Sequence, residues 1–525
     1  MAAAFELSQV TKTFSGATAL AGVTLSAAAG ERIALLGPNG SGKSTLLRLL
    51  ASLLSPDGGT VRVLGGEPSS DSQVRAGIGL CTGDERSLLL RLSPRENLRF
   101  FGALYGLGGA ELRRRIDALA AELGLAGQLD RPAYTLSSGN RARLLLGRAL
   151  LHEPRLILVD EGTHALDPEG AEGLRKTLRA RCEAGACLVF VTHNEDEAKA
   201  LATRTVRLEG GRVAGNANDL SPHPSLSPGR GEGDSIRTAA GNISSPPAGE
   251  RARVRGPLGL ALAWIRRDTL EELSYRGHLA FEAIGGLVTL LGLFYFSLLV
   301  GNGHAELVGP EGYFAFACVG LAAYLPARTA QAELARQVRS AQLVGLLEPM
   351  AAAPPRLQVQ LLAMALQPTL GAFVRAALTL LAAVLLFSLR IHLGALYLVL
   401  LGLLLAAAAS AGLGLCSAAV VLHLRRSDPV AYLLDSAAWL ASGLLFPVAF
   451  LPAWVQLAAL ALPATSALTL TRHGLLHPSD PNLPLAAFGA VGWLALLAAL
   501  SLTLGWLSVR LSLKTARKRG SFGIA

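Results

Sequence analysis

Nine residues, Gly37-Pro38-Asn39-Gly40-Ser41-Gly42-Lys43-Ser44-Thr45, constrain this chain more than any other stretch. They lie between Ile33–Leu36, an apolar run that reads as a short buried strand, and Thr45–Leu53, a leucine-rich helix with Arg48 in its middle. Glycines at 37, 40 and 42 let the backbone curl until successive N–H groups point inward at an anion. The helix opening at Lys43–Ser44 adds the positive end of its dipole. In such a loop the lysine reaches the β- and γ-phosphates and the serine hydroxyl coordinates Mg²⁺. A plain glycine-rich turn needs none of these at this spacing, so the stretch reads as a site for a nucleoside triphosphate with Mg²⁺.

Other segments extend that reading. Phe5–Val10 and Val23–Ala27 read as edge strands, with the exposed aromatic Phe14 between them. Ahead of a phosphate loop, Phe14 is a candidate to stack on an adenine ring. Ile78–Cys81 is another short strand, followed by the charged loop Thr82–Arg91. Ser93 with Glu96 forms a capping box, with Pro94 at the first helical position. Helical periodicity through Leu104, and again over Glu111–Leu123, predicts a helical insert on a nucleotide-binding core. Leu136-Ser137-Ser138-Gly139-Asn140 sets small residues at the start of a basic helix, an anion-binding arrangement. Leu156–Asp160 is an apolar strand whose end carries two acids, Asp160 and Glu161. A buried strand holds two carboxylates poorly unless they are used. Asp160 suits the Mg²⁺ shell and Glu161 the base that polarises attacking water. After the strand Cys187–Val191 comes Thr192-His193, where the imidazole can contact the γ-phosphate and hold Glu161.

This order of motifs resembles the ATPase domain of ABC transporters, over about Phe5 to Val213. The resemblance implies an α/β P-loop fold with a helical subdomain. It makes Phe14 the adenine-stacking residue, Gly37–Thr45 the Walker A loop and Leu136–Asn140 the signature. It makes Asp160 the Walker B aspartate, Glu161 the catalytic glutamate, Asp167 the D-loop acid (in Ala165-Leu166-Asp167) and His193 the switch histidine. In the family the signature of one subunit closes on ATP held by its partner, which implies a dimer. Three motifs depart from the family pattern. Gly83 stands where glutamine is usual, Gly162 where proline is, and the signature reads LSSGN. The first shifts expected coupling onto contacts from Asp84–Arg95 to the cytoplasmic segment Glu333–Gln358.

The rest of the chain has another character. The expected domains are 1–215, the ATP-binding domain; 216–256, a disordered linker rich in Pro, Ser, Gly and Arg; and 257–525, an all-α membrane domain. Pro257–Arg276 is amphipathic and expected at the membrane surface. About six spans, each long enough at roughly 20 residues, suggest themselves: Leu279–Val300, Tyr313–Thr329, Leu361–Phe387, Leu393–Leu422, Val430–Phe446 and Ala486–Val509. Leu451–Leu483 is apolar and punctuated by proline, as in a re-entrant segment. The net charge of +10 lies mainly beside these spans, which favours membrane orientation over nucleic-acid binding. Alternate loops are basic, so both termini are expected on the cytoplasmic side, and Met1–Val10 lacks the features of a cleavable signal. The intramembrane charges Arg375 and Asp435 are expected either to pair across the third and fifth spans or to stay apart, with Arg375 snorkelling and Asp435 facing a wet vestibule. The five cysteines lack metal or redox spacing and read as packing thiols.

Gly345, Leu347, Glu348 and Pro354, with Gly443, Phe446, Pro447, Leu451, Pro452, Trp454 and Pro463, resemble type-2 ABC permeases. ATPase first and permease second is similar to half-transporters of the G subfamily. The resemblance implies ATP-driven export of a lipid, polysaccharide or amphipathic drug-like substrate by a homodimer in the cytoplasmic membrane, in contact with membrane lipids. The competing expectation is an ATP-gated membrane assembly or regulatory complex that transports nothing.

Overall fold

The computed structural model describes residues 3–161, 168–214, 256–300, 312–424, 429–476 and 483–520. The linker, Gly162, the D-loop with Asp167, and the Arg425-Arg426 pair lie outside them, apart from Gly256. The chain divides into two compact units. The first comprises residues 1–263, 345–356 and 517–520, the second 264–344, 357–516 and 521–525.

In the first unit, β1 (Ala3–Phe14) and β2 (Ala17–Ala28) form an antiparallel hairpin. After β3 (Arg32–Leu36) and α1 (Lys43–Leu50), β4 (Gly58–Val63) pairs with the other side of β1. The first expected edge strand is therefore the central strand of a three-stranded sheet, held by Phe5↔Val63 and Leu7↔Val61. That pairing is long-range, so alternation within the strand did not reveal it. The chain continues through α2 (Ser72–Ala76), β5 (Ile78–Thr82), α3 (Pro94–Leu104) and α4 (Gly109–Glu122). Ser93 caps α3 as expected, its hydroxyl accepting from Glu96 N at 3.3 Å. Next come α5 (Ser138–Leu150), β6 (Leu156–Asp160), α6 (Pro168–Glu183), β7 (Cys187–Val191), α7 (Glu195–Leu201), β8 (Arg204–Glu209) and β9 (Arg212–Val213).

The main sheet has the order β5-β6-β7-β3-β8-β9, parallel except for β9. Its inner strands β6, β7 and β3, with β5, are almost wholly apolar and buried, as in a parallel sheet covered on both faces, whereas β8 alternates. Ile157, Val159, Leu188 and Phe190 pack with Leu145, Leu146 and Ala149 of α5 and with Leu174 and Leu178 of α6. Since β6, β7 and β3 are neighbours and parallel, their carboxyl ends open side by side. That adjacency builds the site.

The second unit is helical: α8 (Pro257–Leu273) enters it at Trp264, and α9 (Arg276–Val300) and α10 (Gly312–Leu343) follow. The short α11 (Leu347–Ala352) belongs to the first unit. Then follow α12 (Leu357–Phe387), α13 (Leu396–Leu424), α14 (Pro429–Ala441), α15 (Ala453–Ala459), α16 (Pro463–Leu476) and α17 (Leu483–Arg519). Small residues set the packing. A Cβ on Gly412 would fall 2.4 Å from the Ser501 backbone, so α13 and α17 touch backbone to backbone there.

Among the described residues, four helices are long and apolar enough to cross a membrane, within α9, α12, α13 and α17. Counting α15 and α16, bent by 87°, as one broken span gives five. This corrects the expected six. The second expected span is part of α10, a 32-residue helix that also carries Arg328, Glu333, Arg336 and Arg339. The fifth shrinks to α14, 13 residues, because Gly443 turns with φ +86° and Pro447 follows. The expected Arg375–Asp435 pair is also corrected. Arg375 lies 3.7 Å from Glu282 of α9, while Asp435 accepts from Arg328 Nε at 3.0 Å and from Tyr324 Oη at 3.2 Å.

Candidate functional site

The loop after β3 takes a path that only glycine allows at two points. Gly37 has φ +142° and Gly42 φ +103°, and an added Cβ would meet Leu208 O at 2.1 Å and Ala19 O at 2.4 Å. The remaining loop residues, Pro38, Asn39, Gly40 and Ser41, bring the chain to the start of α1, where Thr45 follows Ser44. Lys43 is buried and curls back over the loop, donating from Nζ to Gly37 O and Pro38 O, both at 2.8 Å. Burial pulls its ammonium pKa down, and the charges of Glu161 and Asp160 act against that. The buried Ser41 hydroxyl has no hydrogen-bond partner among the described residues. An orphaned donor inside a nest of backbone N–H groups fits an anionic ligand such as a phosphate.

Across from the loop, Ser44 Oγ donates to Asp160 Oδ1 at 3.2 Å. Burial pushes the Asp160 carboxyl above its usual range, while Ser44, Arg48 and Lys43 draw it back and Glu161 adds to the rise. A desolvated carboxylate beside a hydroxyl is an oxygen donor set that suits Mg²⁺. The two residues would hold the ion, which would screen phosphate charge when bound.

Glu161 follows at the strand end with φ +52°, an uncommon backbone for a side chain of its size. Strain of this kind collects at functional positions. Its Oε1 lies 2.6 Å from His193 Nε2, which donates because a carboxylate only accepts. Gly83, after β5, sits on the other flank, its N–H donating to Asp160 O at 3.1 Å.

Lys43, Ser44, Asp160, Glu161 and His193 thus meet at the carboxyl ends of β3, β6 and β7. The signature residues do not join them. Ser137 caps α5 by accepting from Asn140 N at 3.3 Å, and Ser137 and Ser138 face solvent with Gly139 half-buried beside them. Among the described residues, these four share no hydrogen bond or ion pair with the phosphate loop. Phe14 is half-buried, under the Lys12 ammonium at 5.4 Å and against Gly520. The sequence reading also left the Arg48–Glu348 ion pair, at 3.4 Å, unassigned.

Part of the chain resembles known proteins. The family described as "ABC transporter" matches residues 20–164. The chain is 39% identical over 211 residues to the daunorubicin/doxorubicin resistance ATP-binding protein DrrA of Streptomyces peucetius, covering 40% of this chain and 64% of DrrA. It is 34% identical over 192 residues to the ABC transporter ATP-binding protein NatA of Bacillus subtilis, covering 36% of this chain and 78% of NatA. The chain belongs to the ABC transporter family. A third relative is the sulfate/thiosulfate import ATP-binding protein CysA of Methylococcus capsulatus, 37% identical over 227 residues, covering 42% of this chain and 65% of CysA. The chain therefore spans just under two thirds of the length of DrrA and of CysA.

As an ABC ATPase, the chain binds and hydrolyses ATP. The matched stretch runs from β2 through the phosphate loop, the signature and the acids of β6, and ends before His193. The family match lies wholly within the first unit.

Proposed function

We propose that the chain is an ATP-driven exporter that works as a homodimer in the cytoplasmic membrane, both termini cytoplasmic. The observation that carries the reading is the meeting of Lys43, Ser44, Asp160, Glu161 and His193 in a chain whose described residues also include four helices fit to cross a membrane. Lys43 holds the transferring phosphate, and Ser44 with Asp160 holds Mg²⁺. Glu161, fixed by His193, takes the proton of the attacking water. Residues 1–215 are the ATPase and 257–525 the permease, joined by 216–256. The exposed signature, Ser137–Asn140, supports completion of each site by a second copy, with Asp167 and Phe14 as further nucleotide contacts.

DrrA's name speaks of drug resistance, which supports an amphipathic drug-like or lipidic cargo. CysA's name speaks of import, so cassette likeness alone does not set direction. The test uses purified protein in liposomes with the ATPase outward. Mg·ATP should drive doxorubicin or a fluorescent phospholipid into the lumen, and Glu161→Gln should stop it. Hydrolysis without movement of either probe would favour the regulatory assembly.

A further inference from the structure

Residues 345–356 connect α10 to α12 along the chain, yet they fold into the first unit. Two arginines hold them there. Arg75 is buried and donates through Nη2 to Pro354 O at 2.9 Å and through Nε to Ala353 O at 3.4 Å. Arg48 ion-pairs with Glu348, whose side chain is only 11% exposed. Gly345 abuts Asp84, but Asp84 is already engaged by Arg86 through Nε at 2.8 Å and Nη2 at 3.0 Å.

Arg48 differs from the other contacts in where it starts. It lies on α1, the helix that opens with Lys43 and Ser44, and its guanidinium reaches the Glu348 carboxylate at 3.4 Å. The same helix meets the proposed ion site, where Ser44 Oγ donates to Asp160 Oδ1 at 3.2 Å. Glu348 is nearly shut from water, with Arg48 as its counter-ion and Asp84 and Asp160 as like charges nearby. Gly83, beside Asp160, has no side chain to make such a bridge.

We propose that Arg48 is a positioning residue that reports the state of the phosphate site to residues 345–356. The inference rests on the ATPase reading and adds the route by which it acts. Ligands drawn onto Lys43 and Ser44 would fix the opening of α1 and, through that helix, hold Arg48 against Glu348. Charge pairs gain most where water is excluded, as at Glu348. Linkage makes the effect mutual: a segment held by Arg48 tightens the site for Mg·ATP by the same factor.

The test is amide hydrogen exchange on the full-length protein in nanodiscs, with TNP-ATP titrations beside it. In the wild type, Mg·ATP should slow exchange over residues 346–352 about fivefold or more, the size usual for coupled sites. Arg48→Gln and Glu348→Gln should each reduce that to under about twofold and weaken Mg²⁺-dependent TNP-ATP binding by a matching factor, while binding without Mg²⁺ is kept. Arg48→Lys should restore part of both. Retained slowing in Glu348→Gln, a site away from the loop, would overturn the relay even if Arg48→Gln did not fold. Normal TNP-ATP binding with no slowing in the wild type would overturn the relay alone. No TNP-ATP binding in the wild type would overturn the nucleotide reading together with it.

Discussion

At the scale of single residues, the site separates groups that bind from the group that reacts. Glu161→Gln keeps the size and the contact with His193 but cannot accept a proton. Hydrolysis should fall about a hundredfold or more, the usual worth of a general base, while TNP-ATP affinity stays within a factor of about three, a change under 1 kcal/mol. Phosphate release at saturating ATP measures the first and a titration the second; near-normal turnover would put the base elsewhere. Gly42→Ala tests the loop. With φ +103° and Ala19 O 2.4 Å from the new carbon, the substitution should destabilise the first unit by about 1–3 kcal/mol. Loss of nucleotide binding should accompany it, because the N–H groups of the nest can no longer converge. A calorimetric melt unchanged from wild type would show that the loop relaxes freely.

At the scale of elements, β3, β5, β6 and β7 were legible because a parallel strand buried on both faces is an unbroken apolar run closed by glycine or charge. The α3 cap was legible for the same local reason. What escaped depends on partners far along the chain. Arg472 of α16 donates to Phe316 O at 3.1 Å, Gly443 O at 2.7 Å and Leu444 O at 2.8 Å. It satisfies carbonyls released where the chain turns after α14, and no pattern around position 472 announces that. Asp435 found Arg328 rather than Arg375 for a similar reason: helix neighbours follow from packing, and sequence spacing carries no record of it. A double-mutant cycle with Arg328→Gln and Asp435→Asn tests the contact between α10 and α14. Melting in detergent should give a coupling of about 1 kcal/mol, within the range for polar pairs between membrane helices. Additive losses would mean that the two side chains only share a wet cavity wall with Tyr324 and Gln331.

At the scale of the whole molecule, the question is how many chains one working site needs. Lys43 and Ser137 belong to the same chain but share no contact, so the proposed dimer joins the loop of one copy to the signature of the other. Lys43→Ala removes the cation that faces the phosphates. Ser137→Arg fills the signature with bulk and charge. In a homodimer of either variant, both sites are damaged, and hydrolysis should fall about a hundredfold or more, as when a group stabilising transition-state charge is lost. Mixing the two variants gives a different result. One site receives the altered loop and the altered signature together, while the other receives neither. Mixed dimers isolated through two different tags should therefore trap ATP at one site and recover a measurable part of wild-type hydrolysis. If each site were built within one chain, every site in the mixture would still carry one defect and nothing would be recovered. Mixed dimers as inactive as either parent, with no trapped ATP, would rule out sites shared between copies.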